Sequence, residues 1–249
     1  MPTLSRRQLL ALPLSSATLA LSTGARAWSW SPGSAVEGSG KVVETSRSVT
    51  TFQKLRLDGS FDVRVRVGGP TQVVVRADDN LQPLIVTRVE GDTLVVGTEQ
   101  EKNVHSRSKV LVTVTTPSLT AAALRGSGDL SIDGASGGPF ELSLSGSGDV
   151  RLGDAKLSQL SVALAGSGDV QLQGRAETAH FSIAGSGDIH AAELQTRNTK
   201  VSIAGSGDAE VQASELLDVN IAGSGDVRYA GAPRVQRQLA GSGDVRPLH

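Results

Sequence analysis

The tetrapeptide Gly-Ser-Gly-Asp occurs seven times, beginning at Gly126, Gly146, Gly166, Gly185, Gly205, Gly223 and Gly241, at intervals of 20, 20, 19, 20, 18 and 18 residues. A period near 20 residues is one turn of a solenoid, in which each unit buries its apolar face only against its neighbours. Apolar and polar residues alternate on both sides of the tetrapeptide, as in Leu160, Val162 and Leu164 before it and Val170 and Leu172 after it. That period of two belongs to strands with one buried face. One unit hides too little apolar surface to offset its chain entropy, so the units must stack. The chain is predicted to be all-β, a single-stranded parallel β-helix (β-solenoid) with about 18–20 residues per coil. The regular coils span residues 119–249, and the N-terminal half is less regular.

Alternation also runs through the N-terminal half. Leu55, Leu57, Val63, Val65 and Val67 are interleaved with Arg56, Arg64 and Arg66, and no long stretch favours helix. Gly59-Ser60-Phe61-Asp62 lies between apolar strands as the later tetrapeptides do, and reads as a degenerate eighth copy. The polar residues 98–109 read as an exposed loop. Aromatic residues make up only 3% of the chain, which predicts a thin aliphatic core.

Residues 1–27 read as a signal peptide. Arg6-Arg7 precedes an apolar stretch ending near Leu21, and Ala25-Arg26-Ala27 provides a small-residue cleavage site before Trp28. The arginine pair followed by two leucines resembles a twin-arginine export signal, with general secretion as the competing route. An uncleaved anchor is the other alternative, but the apolar run falls short of the roughly 20 residues a spanning helix needs and contains Pro13. No transmembrane segment is expected in the mature chain. Residues 28–45, rich in Ser and Gly, read as a linker, which leaves residues 46–249 for the solenoid. With no cysteine, neither disulfides nor thiolate metal sites can form. Residues 28–249 carry 21 basic and 25 acidic side chains, so nothing attracts nucleic acid.

Stacking would set Asp129, Asp149, Asp169, Asp188, Asp208, Asp226 and Asp244 in one column of like charges. Neighbours about 4.8 Å apart repel by about 1 kcal/mol in water and by several at an effective dielectric near 20. Backbone N–H groups could offset this, as could Arg151, Arg228 and Arg246, each two residues after an aspartate. Calcium held by the carboxylates is the remaining candidate. Otherwise the tetrapeptide is a structural corner, with glycines for positive φ and Ser and Asp accepting local backbone hydrogen bonds. His105, His180, His190 and His249 show no metal-ligand spacing, and no G-x-S-x-G elbow or completed phosphate loop occurs. No cofactor and no catalytic residue is expected. At the C-terminus, Arg246 and Pro247 discourage edge-to-edge strand pairing.

From Phe52 onward the chain resembles the bacterial family described as putative auto-transporter adhesin, head GIN domain. The residues that carry the resemblance are Phe52-x-x-Leu55-x-Leu57-Asp58-Gly59-x-Phe61-Asp62-Val63, Ala77-Asp78-Asp79-Asn80-Leu81, Gly91-Asp92-x-Leu94 and the seven Gly-Ser-Gly-Asp copies. The resemblance implies an exported, non-enzymatic β-solenoid in the periplasm or at the cell surface, acting as an adhesin or envelope module. Its partner would be an unknown protein or glycan of the envelope, and homo-oligomers are allowed. The alternative is a carbohydrate-active β-helix enzyme with paired carboxylates. A catalytic pair should be a local exception to the repeat, whereas these acids are the repeat itself.

Overall fold

In the computed structural model of this protein the described residues are 36–99, 104–105 and 108–248. The expected signal peptide and residues 28–35 lie outside them. Each rung of the stack runs into the tetrapeptide corner on one strand and leaves it on another. The incoming strands form one parallel ladder, from Lys54–Gly59 through Ala121–Gly126 and the ends of the next four strands to Leu216–Gly223 and Arg234–Gly241. The outgoing strands form a second, from Asp62–Val67 through Leu130–Asp133 to Val227–Ala230 and Val245–Pro247.

Identical register turns the sequence alternation into columns of core residues. Leu57, Leu124, Leu144, Leu164, Ile183, Ile203, Ile221 and Leu239 lie above one another on the incoming side. Val63, Leu130, Val150, Val170, Ile189, Ala209, Val227 and Val245 do so on the outgoing side. All are buried except Leu239 in the last rung. The core is therefore one aliphatic stack between the two ladders, the solenoid solution to units that cannot fold singly.

A third side explains the changes in repeat length. Lys156 pairs with Arg175 and Arg175 with Gln195, closing the section of the 19- and 20-residue rungs. Asp154, at φ 50°, is the extra residue of its rung; the next rung omits it, and the register shifts between Leu152 and Ala155. The 18-residue rungs shorten this side. There Thr196 Oγ1 bonds the Gln212 carbonyl (2.5 Å) and the Thr199 hydroxyl (2.6 Å), satisfying buried groups where the strand ladder ends.

The N-terminal half supplies a lower rung and a lid. Thr93–Thr98 and Leu111–Thr116 stack parallel under Lys54–Gly59 and Asp62–Val67. Beyond them the direction reverses: Ile85–Glu90 pairs antiparallel with Thr93–Thr98, Gln72–Asp78 with Leu111–Thr116, and Val42–Arg47 with Gln72–Asp78. The ordered fold thus begins before residue 46, inside the stretch expected to be a linker, with strands at Val36–Glu37 and Val42–Arg47. Long-range bonds hold the second of these. Buried Gln82 donates through Nε2 to the carbonyls of Val43 (3.0 Å) and Val75 (2.9 Å), and Arg47 Nη2 donates to the Gln82 carbonyl (2.7 Å). Within residues 98–109, Val104–His105 pairs with Val36–Glu37, while residues 100–103 and 106–107 lie outside the described set.

Exposed ion pairs stud this lid. Hydrogen bonds from Ser39 and Lys41 hold the Asp79 carboxyl below its ordinary range, Arg88 does so for Glu90, and Lys54 with Thr93 for Asp92. The Asp58 carboxylate raises Arg56 in return. No helix among the described residues is long and apolar enough to cross a membrane.

Candidate functional site

The corner is built by the tetrapeptide. Gly59, Gly126, Gly146, Gly166, Gly185, Gly205, Gly223 and Gly241 stand in one parallel register, so the degenerate eighth copy takes its expected place. Their φ values are all positive, 138° at Gly146 and Gly166, for example. A Cβ on Gly146 would overlap the carbonyl oxygen of Gly126, and one on Gly148 that of Gly128. Rung contact at this corner is backbone on backbone, which only glycine permits. The Gly126 carbonyl accepts from the N–H groups of Ser147 (3.0 Å) and Gly148 (3.2 Å), and later rungs repeat the pattern.

The aspartates form the expected column, and main-chain donors bind it. Oδ1 of Asp129 accepts the N–H of Asp149 (3.4 Å), Asp149 that of Asp169 (3.0 Å), and Asp169 that of Asp188 (3.1 Å). Asp188, Asp208 and Asp226 continue it toward Asp208, Asp226 and Asp244 at 2.7, 2.8 and 2.9 Å. Asp244 closes the ladder on the N–H of Val245 (2.8 Å). Each carboxylate therefore receives a charge-assisted hydrogen bond that offsets the repulsion from its neighbours. The corner serine side chains are exposed, and the aspartates accept from the next rung rather than from the local turn expected of both, Asp244 excepted.

Two of the three arginines do not reach the column. Arg246 Nη2 lies 3.5 Å from Asp226 Oδ2, but Arg228 pairs with Glu210 (3.3 Å) and Arg151 bonds Gln173 (3.4 Å). Lys109 caps the lower end at 3.3 Å from Asp62, a contact no repeat could reveal. Among the described residues, no three His, Asp or Glu side chains converge where a metal could be held.

The ladder separates two roles of the aspartate that substitution can test. Asp169→Asn keeps an acceptor at Oδ1 for the Asp188 N–H and should change stability by no more than about 0.5 kcal/mol. Asp169→Ala removes the acceptor and should cost about 1–2 kcal/mol in urea unfolding. Equal costs for the two variants would show that the hydrogen bond is not what the carboxylate supplies.

Beside the aspartates runs a second outward column, Arg64, Ser131, Arg151, Gln171, His190, Glu210, Arg228 and Arg246, on the outgoing strands. The two columns bound a groove of about 620 Å³ whose lining includes Asp62, Asp129, Asp149 and Asp169 on one side and Arg64, Ser131, Arg151, Gln171 and His190 on the other. His190 is exposed, 3.8 Å from Glu210, and His180 is exposed on the incoming ladder. The incoming strands present a different outer surface, short side chains such as Ser143, Ala163 and Ser182 flooring a trough of about 440 Å³.

The family described as putative auto-transporter adhesin, head GIN domain, matches residues 51–233. Among solved structures, the chain is similar to a putative adhesin from Bacteroides fragilis, with 26% identity, a TM-score of 0.80, and coverage of 86% of this chain and 100% of that one. A putative lipid binding protein from Parabacteroides distasonis shares 26% identity with a TM-score of 0.74, covering 87% of this chain and 100% of that one. A putative adhesin from the same species shares 26% identity at a TM-score of 0.66, over 86% and 100% of the two chains. No curated protein matches.

Proposed function

This chain belongs to the putative auto-transporter adhesin, head GIN domain family, and from that membership we propose that it is an exported, non-enzymatic binding or adhesion module of the cell envelope. Residues 1–27 act as the leader on this reading, and the solenoid works in the periplasm or on the cell surface. One observation supports it above the others. The aspartate ladder bonds each corner to the next from Asp129 to Asp244, so outward side chains stand in fixed columns at a constant repeat. Such a surface is pre-organised for an extended partner and loses little freedom on binding.

The carboxylates are equivalent from rung to rung, whereas paired-carboxylate hydrolysis assigns two different roles to two groups. The purified chain is therefore expected to leave the length of bacterial polysaccharides unchanged on incubation. A strain lacking the protein is expected to differ from its parent in surface attachment or envelope integrity. Shortened polysaccharide would replace this reading with the enzymatic one, and indistinguishable strains would remove the adhesive role.

A further inference from the structure

We propose that the groove between the aspartate column and the Arg64–Ser131–Arg151 column is a binding site for a neutral, hydroxyl-rich linear glycan lying along the stack axis. The proposal rests on the reading of the protein as a binding module and names the ligand class and the face. Both walls repeat at the rung spacing of about 4.8 Å. The aspartate wall offers only acceptors, and Asp129, Asp149 and Asp169 are each held in place through Oδ1 by a main-chain N–H. The opposite wall offers donors from Arg64, Ser131, Arg151 and Gln171.

The walls do not satisfy each other. Among the described residues no ion pair crosses the groove, although acids and arginines line it together; the only pair there, Lys109 with Asp62, sits at its end. A sugar hydroxyl donates to a carboxylate and accepts from a guanidinium or hydroxyl, so a row of them answers both walls at once. An anionic polymer would meet Asp129, Asp149 and Asp169, and a cationic one Arg64 and Arg151. A protein partner would want an aromatic or aliphatic anchor in the interface core, but the apolar lining residues Val63, Leu130 and Val150 are each only 1% exposed. Without aromatic stacking each site binds weakly, which suits a surface module that gains strength from many copies.

The test is titration of the full chain with cellohexaose and chitohexaose, followed by amide chemical shifts. Saturable shifts are expected at residues 129–131, 149–151 and 169–171. Arg64 and Arg151 are exposed, so R64A/R151A should fold normally while weakening binding on the order of tenfold or more. R228A, in the same column but outside the groove, should bind as the parent does, and hexagalacturonate should bind more weakly than the neutral sugars. Absence of shifts, shifts indifferent to R64A/R151A, or preference for hexagalacturonate would each overturn the assignment. An attachment defect in the deletion strain together with no sugar binding would remove this groove assignment and leave the adhesive reading standing. Normal attachment with sugar binding would do the reverse.

Discussion

Replacing Gly166 by alanine is expected to destabilise the protein by more than about 4 kcal/mol, the range reserved for changes that native packing cannot absorb. Two causes act together. Gly166 has φ 138°, a conformation that side-chain-bearing residues rarely adopt. The new Cβ would also overlap the Gly146 carbonyl oxygen, which accepts the N–H of Ser167 at 3.0 Å. Relief requires the two rungs to part, which breaks the corner hydrogen bonds and the aspartate ladder at once. Because rungs interact only with neighbours, the damage should divide unfolding into two steps, the rungs on either side of the lesion melting separately. Gly138 is the control, since it lacks positive φ and an added Cβ would meet nothing within 4 Å. Gly138→Ala should stay within about 0.5 kcal/mol of the parent. Chemical unfolding followed by circular dichroism distinguishes the outcomes, and equal stability of the two variants would contradict the backbone-contact account of the corner.

The fold was legible in the sequence wherever one period governs the chain. Regular spacing of the tetrapeptides placed Leu124, Leu144 and Leu164 in one column, and the apolar strands on either side placed Gly59 correctly although Phe61 stands where later copies have glycine. The tolerance has a local cause: in the lowest copy the Phe61 ring folds against Gly59, 3.5 Å from where a Cβ would sit. The antiparallel lid was not legible. Gln72–Asp78 and Ile85–Glu90 alternate as parallel strands do, and alternation reports which face is buried, not which way the neighbour runs. Val42–Arg47 was missed for a different reason: it is held by the ladder to Gln72–Asp78 and by Gln82, 35 residues from Arg47, and no local pattern encodes such contacts.

At the candidate site the sequence revealed the acid column and the groups that could satisfy it, but not which of them does. Backbone N–H groups, arginines two residues downstream and calcium all stood open as ways to offset the charge. A main-chain donor leaves no trace in side-chain identity, so only the register of the rungs picks out the first of these. The downstream column itself was visible as a fixed offset, and His190, two residues after Asp188, belongs to it. In the last described rung, register adds the place of Arg237 to the expectation already drawn from Pro247. Arg237 pairs with Val219, in a column whose earlier members are Phe181 and Val201, and Pro247 pairs with Tyr229. A charge in a core column and a missing N–H both discourage the pairing of a further strand.

The central claim is that successive tetrapeptide corners lie directly above one another, and cysteine pairing measures this most directly because the chain contains no cysteine of its own. Ser147, Ser167 and Ser186 are exposed at three consecutive corners. Adjacent rungs lie about 4.8 Å apart, inside the range of roughly 4.4–6.8 Å that a disulfide spans, whereas two rungs lie about 9.6 Å apart. Under mild oxidation S147C/S167C should close an intramolecular disulfide almost completely, and S147C/S186C should remain reduced. Disulfide formation in the second pair, or its failure in the first, would contradict the stack.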